Sequence, residues 1–297
     1  MARWVALAFL VGAGAACAGV HHPPPAEPPP VLEPSPLVVP PPPAEPDHSI
    51  PSQLASDFRW AVNNLEADGE DIVTAPCHTG ELLQKPEFYW TTLAGAAALG
   101  GAFALDTPLR IHTKHVSHDV ARGFQSGGEI ALWSATAAIY GWGVWNDDAR
   151  SRRYVMTTLL GTAVSGLIVV GTKAAFGRLR PNQNQGAFKF GEKNGDSFVS
   201  SVATPAFALA AGVSEWGDNR WYVALPAYGA ATAVGFGRMG KDAHWLSDIV
   251  GSALIGVGST ELLLYLHNQH DAKPSRYRVF PLVGPNGGVG IGVSGEF

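Results

Sequence analysis

The chain has 297 residues, a formal net charge of −5 and a charged fraction of 15%. The negative net charge excludes the global basic field that attracts nucleic acid, so we expect no nucleic-acid partner. The hydrophobic fraction is 46% and glycine is abundant, which together indicate closely packed helices in a membrane or in a very apolar bundle.

Residues 1–20 are typical of an export signal, because Arg3 precedes an apolar run that ends in small residues. Cys17 follows these small residues, as in a bacterial lipoprotein whose cysteine is lipidated; a plain cleaved signal and an uncleaved anchor remain alternatives. Residues 21–50 hold most of the prolines and predict an extended polyproline spacer. We assign no role to Cys77, the other cysteine.

Residues 51–88 form the next predicted region, with an amphipathic helix over 51–66. Its apolar positions are Leu54, Phe58, Trp60, Ala61 and Leu65. Six apolar segments rich in glycine and alanine follow, and several are shorter than the roughly 20 residues that cross a bilayer. These segments are residues 90–105, 129–145, 154–172, 202–213, 222–236 and 247–266.

None of these segments shows strand-type alternation, so residues 89–270 predict an all-α bundle of six helices, embedded in or associated with a membrane. The tail, residues 271–297, differs in character. Tyr277–Val283 and residues 288–293 flank an Asn286-Gly287 pair, and this pattern predicts a short β-hairpin.

Two cations stand near the end of the third apolar segment. Lys173 and Arg180 are seven residues apart, about two helical turns, which predicts that they share a helix face. Pro181 restricts Arg180 to an extended conformation and predicts the end of the helix there. Two cations at one helix end form a suitable clamp for a phosphate group.

A second cluster surrounds the start of the last apolar segment. His244 and Asp248 are at positions i and i+4, so they lie on one helix face. The carboxylate can accept the proton on one imidazole nitrogen, which leaves the other nitrogen free as a nucleophile. Arg238 precedes this pair, and a helix start also favours a bound anion.

Together these residues resemble the phosphatidic-acid-phosphatase type 2 (PAP2) and vanadium haloperoxidase superfamily. Its first element is Lys, six residues, then Arg-Pro, which Lys173, Arg180 and Pro181 match without a gap. Its third element combines Arg, His and Asp. Arg238, His244 and Asp248 match that element at the family spacing, and the resemblance covers about residues 90–267.

The middle element of the family pattern is degenerate in this chain. Residues 197–204 read Ser-Phe-Val-Ser-Ser-Val-Ala-Thr where the family has Ser-Phe-Pro-Ser-Gly-His-Ala-Thr. Ser200 is retained, whereas Val199, Ser201 and Val202 replace the proline, the glycine and the histidine. Gly237 also replaces the serine that begins the third element in the family.

The resemblance implies a phosphatase that needs neither metal nor cofactor. In it His244 attacks phosphorus and forms a phosphohistidine, while Asp248 orients the imidazole. The implied phosphate-binding residues are Lys173, Arg180, Ser200, Ser201 and Arg238. The family's middle histidine protonates the leaving alkoxide, and Val202 cannot do so; such general acid catalysis is worth about 10²–10⁴-fold.

Two functions therefore stay open. One is a phosphatase that hydrolyses a phosphomonoester or a lipid (pyro)phosphate and is impaired with alcohol leaving groups. The other is an inactive pseudophosphatase that binds phosphate or a lipid headgroup. The five retained charged positions favour the first, and the three altered residues of the middle element favour the second. Haloperoxidase chemistry would require the same missing histidine.

We expect a protein of the bacterial cell envelope, with a membrane and a phosphorylated lipid or small phosphate ester as partners. If the last four segments alternate in direction, the three elements meet at one end of the bundle. The basic stretch 147–153 indicates a cytoplasmic loop at the other end, which places the site on the periplasmic side. An exported N-terminus followed by three spans would give the opposite sidedness.

Three further histidines, His112, His115 and His118, are spaced three residues apart. This spacing would place them on one helix face, where a metal site is conceivable. Solvated or structural histidines are the favoured interpretation, and we predict no metal.

Overall fold

A computed structural model of the chain describes residues 48–74, 86–270, 277–283 and 289–295. The predicted export signal with Cys17, most of the proline-rich spacer, Cys77 and the Asn286-Gly287 turn lie outside these ranges. Within them the structure contains seven α-helices, one more than the six apolar segments, because the amphipathic segment is helical too. The helices are α1 (Ile50–Thr74), α2 (Pro86–Thr113), α3 (His118–Trp145), α4 (Ala149–Phe176), α5 (Ala203–Trp216), α6 (Trp221–Gly240) and α7 (Leu246–His270).

The fold is therefore all-helical from residue 50 to residue 270, as predicted, over the residues that the structure describes. Beyond α7, strand β1 (Tyr277–Val283) pairs antiparallel with strand β2 (Val289–Gly295), with Tyr277 opposite Gly295 and Val283 opposite Val289. Both strands follow the last helix in the sequence.

The short helix α5 lies at the centre of the bundle. It packs against α3, α4, α6 and α7, and nearly all of its residues are buried. Glycine permits two of these approaches: a Cβ on Gly212 would lie 2.0 Å from the Thr158 hydroxyl, and one on Gly256 would lie 2.3 Å from the Thr204 carbonyl. The abundance of small residues thus produces close helix packing, with a core around Leu132, Leu209 and Val234.

The outer surface of the bundle is apolar. Trp90 on α2, Trp142 on α3 and Leu167 on α4 are 70%, 59% and 74% exposed. Three helices are long and apolar enough to cross a membrane, at residues Phe88–Thr113, Ala149–Gln183 and Leu246–Asn268. Large exposed apolar surfaces on a folded protein indicate contact with a membrane or a partner, and the helices here have the length for a membrane.

Helix α1 leaves two of its predicted apolar positions exposed, while Trp60 and Ala61 are partly buried. Leu54 and Phe58 are 46% and 67% exposed, whereas Gln53 and Asp57 are buried. The reason is a buried ion pair: Asp57 accepts hydrogen bonds of 3.0 and 3.2 Å from Nε of Arg152 on α4. A charge pair from another helix therefore decides which face of α1 turns inward.

Alternating helix direction brings chain segments that are distant in sequence together at one end of the bundle. Helices α4 and α6 end there, and α5 and α7 begin there. Hydrogen bonds join the segment before α5 to the turn before α7 and join that turn to the end of α6. We call this end of the bundle the site end.

Candidate active site

His244 lies in the turn between α6 and α7 and is almost completely buried, with 2% of its surface exposed. Its Nδ1 is 2.9 Å from the carbonyl oxygen of Ser197 and 3.5 Å from Oδ2 of Asp248. A carbonyl oxygen only accepts hydrogen bonds, so Nδ1 carries the proton. In the neutral ring Nε2 then presents its lone pair, as a nucleophile requires.

The surroundings of His244 favour the neutral imidazole. Burial lowers the pKa of His244, and the positive charges of Arg238 and Lys173 lower it further, while the hydrogen bond and charge of Asp248 oppose them. The sum is a pKa below the ordinary value of 6.5. Since an uncharged ring is the nucleophilic form, this environment supports attack by Nε2 near neutral pH.

Arg238 supplies the cation nearest to that nitrogen. Its Nη2 lies 3.3 Å from Nε2 of His244. Its Nε is buried and has no hydrogen-bond partner in the part of the chain that the structure describes. Burial lowers the pKa of Arg238, and the positive charge of Arg180 lowers it further. A buried guanidinium N–H without an acceptor, beside a second cation, indicates a place for an anion.

Lys173 and Arg180 lie near Arg238 and His244, but they do not share a helix face. That prediction was wrong because α4 ends at Phe176, where Gly177 takes a left-handed conformation with φ of 49°. A Cβ on Gly177 would lie 2.7 Å from the carbonyl oxygen of Glu192, so the turn requires glycine. The chain then folds back and carries Arg180 to the site in a loop.

Asp196, which sequence reasoning missed, contacts both of these cations. Arg180 donates from Nε and Nη2 to the two carboxylate oxygens of Asp196, at 2.6 and 2.5 Å. The Nζ of Lys173 donates to the backbone carbonyl oxygen of Asp196. The hydrogen bond from Arg180 is the main reason why the pKa of Asp196 is lowered. Arg180 is thus already paired with an oxyanion, and the positive charge of Lys173 lies beside it.

Ser200, the serine retained from the middle element, is held by hydrogen bonds within the protein. Ser200 is fully buried, its N–H donates to Oγ of Ser252, and its own Oγ accepts from the N–H of Ala203. It can therefore offer an anion its hydroxyl proton but not its amide. Ser201 is exposed, and Val202 is partly buried at the start of α5.

A buried charge network behind His244 was also missed. Arg178 is fully buried and donates to Asp248 at 2.5 Å and to Asp106 of α2 at 2.6 Å. Asp106 also accepts from the N–H and the hydroxyl of Ser247, at 2.8 and 2.7 Å. Asp248 accepts in addition from the Ser197 hydroxyl at 2.5 Å. These contacts fix the carboxylate that faces the imidazole.

Only part of this network left a signal in the sequence. Arg178 stands inside the stretch that ends in Arg180-Pro181, so its basic character was visible there. Asp106 lies 141 residues before Ser247, and no local pattern links them.

The other histidines do not share a helix face, so that part of the prediction was wrong. His112 belongs to the last turn of α2, His115 lies in the connection, and His118 begins α3 after the N-cap Ser117. The chain turns between them, and all three are exposed. Among the described residues no group of three or more His, Cys, Asp or Glu residues is arranged to hold a metal.

The structure is a helical bundle with membrane-capable helices and a histidine-centred candidate site at one end. Comparison with known families agrees, because the model of the PAP2 superfamily matches residues 154–271. The matched segment contains every residue of the predicted site, so the similarity to this superfamily rests on residues 154–271.

One similar protein is a lipid A 1-phosphatase of Porphyromonas gingivalis, which is 27% identical over 126 residues. The alignment covers 42% of this chain and 26% of the relative, so the chain spans about a quarter of the relative's length. No solved structure matches the chain.

Proposed function

We propose that the chain is a metal-independent phosphatase of the PAP2 type, which hydrolyses a phosphomonoester or a lipid (pyro)phosphate through a phosphohistidine. The observation that carries this proposal is the pairing of a buried, neutral His244 with the guanidinium of Arg238 only 3.3 Å from its Nε2. A nucleophile beside a cation whose Nε–H has no acceptor among the described residues is suited to attack an anionic phosphorus centre.

In the proposed reaction Nε2 of His244 attacks phosphorus and the bond from phosphorus to the alcohol oxygen breaks. Asp248 stabilises the imidazolium that forms, because it lies 3.5 Å from Nδ1 and is held by Arg178 and Ser197. Lys173, Arg180 and Arg238 bind the phosphate oxygens and stabilise the charge of the transition state. Water then attacks the phosphohistidine and releases phosphate.

For Arg180 and Lys173 to bind substrate, the phosphate must compete with Asp196. The exposed fraction of the Asp196 side chain is 53%, so the carboxylate can turn toward solvent. A phosphate dianion offers more charge than a carboxylate and accepts the same paired N–H donors. Ser201, exposed beside this loop, and the hydroxyl of Ser200 complete the proposed phosphate site.

A lipid phosphate is the substrate class that best fits a site at the end of an apolar bundle. The relative named as a lipid A 1-phosphatase supports this choice, although it shares only 126 aligned residues. We place the protein in the bacterial cell envelope with the site on the periplasmic side, because the basic segment 150–153 lies at the opposite end.

The pseudophosphatase alternative depends on one observation: Val202 stands where the superfamily pattern has its histidine. Valine cannot give a proton to a leaving alkoxide. Under this alternative the cations bind phosphate or a lipid headgroup without turnover.

The test is hydrolysis of p-nitrophenyl phosphate and of an alkyl phosphate by wild-type protein, His244→Ala and Val202→His. We expect wild type to favour the aryl ester, whose leaving group needs no protonation, and His244→Ala to abolish activity on both esters. We expect Val202→His to increase alkyl-phosphate turnover. His112→Ala is the matched control, because that exposed histidine lies outside the site and its loss should change neither rate.

A wild type that binds phosphate or vanadate but hydrolyses neither ester would identify the pseudophosphatase. Full activity in His244→Ala would refute the phosphohistidine route, and absence of both binding and turnover would refute both candidate functions.

A further inference from the structure

Two separate chain segments bring the cation and the nucleophile of the proposed reaction together. The loop at residues 177–184 carries Arg180, and the turn at residues 241–245 carries His244. Attack on a phosphate bound to Arg180 requires a fixed separation between these segments, because a displacement of about 1 Å can cost about 10²-fold in rate. The contacts that set this separation start from Arg110, in the last turn of α2.

Arg110 joins the two segments through a single guanidinium. Its Nε and Nη2 donate to the two carboxylate oxygens of Asp242, at 2.7 and 2.6 Å. Its Nη2 also donates to the side-chain carbonyl oxygen of Asn184 at 2.7 Å. Asp242 stands shortly before His244, and Asn184 stands shortly after Arg180. The planar fork of arginine can make this paired contact, whereas a lysine ammonium cannot.

The backbone at Asp242 is shaped for the same connection. It takes a left-handed conformation with φ of 53°, which aspartate tolerates better than most residues. Its N–H donates to the carbonyl oxygen of Met239 at 2.9 Å, and its carbonyl oxygen accepts from the N–H of Asn182 at 3.0 Å. Asp242 is thus bound by α2 through its carboxylate and by the loop of Arg180 through its carbonyl oxygen.

Trp245 adds a second link between the segments. It is 3% exposed, and its indole N–H donates to the carbonyl oxygen of Leu179 at 3.0 Å. The guanidinium carbon of Arg110 lies 5.5 Å from the centre of that ring, within the range of a cation–π contact. The indole therefore joins the residue before Arg180 to the residue after His244.

The pair of Arg110 and Asp242 lies within the packing of the site end. Their side chains are 21% and 24% exposed, so water screens the pair less than it screens a surface pair. Arg110 and His244 also line one cavity of only about 10 Å³, no more than one water molecule requires. The side chain of Arg110 is therefore packed against the turn that carries the nucleophile.

We propose that Arg110 is a positioning residue for the phosphatase reaction. With Asp242 it holds the loop of Arg180 at the distance from His244 at which Nε2 can attack a bound phosphate. This inference rests on the phosphatase function proposed above. Arg110 lies outside residues 154–271, so the family model does not include it. Without its guanidinium the two segments can separate, and a phosphate bound by Arg180 no longer lies in line with Nε2.

Kinetics of Arg110→Met with p-nitrophenyl phosphate test the proposal. We expect kcat to fall about 10²-fold, the effect of a displacement of about 1 Å. We expect KM to change within about threefold, because the cations can still bind the phosphate of the ground state. Arg150→Met is the matched control, since Arg150 also pairs with an aspartate of a distant segment, Asp218 at 2.9 Å, but stands at the opposite end of the bundle. It should keep wild-type kinetics.

Titration with vanadate separates positioning from loss of folded protein. The variant Arg110→Met should bind vanadate at the same number of sites per chain as wild type, whereas partial unfolding would lower that number. A fall in kcat that is matched by an equal fall in the number of sites would overturn the positioning role.

A double-mutant cycle with Arg180→Ala shows whether Arg110 acts through Arg180. Arg110→Met should cost about 10²-fold in kcat when Arg180 is present and less than about threefold when alanine replaces it, because residues that act together are not additive. An equal loss in both backgrounds would refute this route.

Asp242→Asn tests the same contact if Arg110→Met does not fold. Asparagine tolerates the left-handed conformation and keeps one acceptor, but it removes the charge and half of the paired contact. We expect kcat to fall at least about tenfold with little change in KM. Wild-type kinetics in Asp242→Asn would overturn the role of Arg110 alone. A wild type that does not hydrolyse p-nitrophenyl phosphate or an alkyl phosphate would overturn the proposed function, and this inference with it.

Discussion

At the scale of single residues, the geometry of His244 depends on a cation that never touches substrate. Arg178 links Asp248 to Asp106, and all three side chains are fully buried or nearly so. Its guanidinium also lies about 5 Å from the rings of Phe103 and Phe190. An ion network in such surroundings stays ordered because neither carboxylate has water as an alternative partner.

Arg178→Met should therefore destabilise the protein strongly. The change leaves two buried carboxylates without their cation, and breaking a buried pair in this way costs about 3–5 kcal/mol. Denaturant unfolding of purified protein would measure the loss. Arg150→Met is the control, since that arginine pairs with Asp218 at the surface, where an ion pair contributes about 0–1 kcal/mol. Equal losses in the two variants would contradict this account.

At the scale of helices, α1 is attached to the bundle by polar contacts. Asp57 pairs with Arg152 at 3.0 Å and accepts a hydrogen bond of 2.9 Å from the hydroxyl of Tyr140 on α3. Burial, followed by the hydrogen bond and charge of Asp57, raises the pKa of Tyr140 to about 12. Tyr140 therefore remains a donor at physiological pH, and one carboxylate joins three helices.

Asp57→Ala should release α1 from the bundle while leaving the site in place. The change removes the carboxylate partner of the buried Arg152 guanidinium, which costs about 3–5 kcal/mol of stability. Most of that cost is avoided if α1 detaches, because water can then reach the guanidinium. Limited proteolysis should then cut within 50–74 faster than in wild type, with hydrolysis of p-nitrophenyl phosphate retained. Asp218→Ala, at an exposed pair, should show no such change. Resistance equal to that of wild type would refute the attachment.

The helices of this fold are largely predictable from the sequence, because glycine- and alanine-rich apolar segments are stabilised by packing closely against each other. Each predicted apolar segment lies at least largely within a helix. The spacing of Arg238, His244 and Asp248 is local, so it also predicted that their side chains lie together in the candidate site. The end of α4 was not predictable by the same reasoning, because Gly177 stops the helix four residues before Pro181.

Contacts between distant segments were beyond sequence reasoning. Asp106 lies outside the segment that matches the family model and 72 residues before Arg178. Only the folded chain reveals that Asp106 borders a group of the candidate site.

At the scale of the whole molecule, the two ends of the bundle differ in role. One end holds the site, and the other holds the α3–α4 connection with Arg150, Arg152 and Arg153. Acidic partners neutralise part of this basic segment, since Arg150 pairs with Asp218 and Arg152 with Asp57. Lysine and arginine still set orientation more than acidic residues do, so this end is expected in the cytoplasm.

Cysteine labelling in cells tests that orientation. Ser201→Cys places a thiol at the exposed edge of the site, and Asp218→Cys places one at the opposite end. A membrane-impermeant maleimide that reaches the periplasm should modify the first and spare the second, with modified peptides identified by mass spectrometry to separate them from Cys77. The reverse pattern would put the site in the cytoplasm. Labelling of both would mean that the bundle does not separate two compartments, and its apolar surface would then have to face lipid or a partner without crossing the membrane.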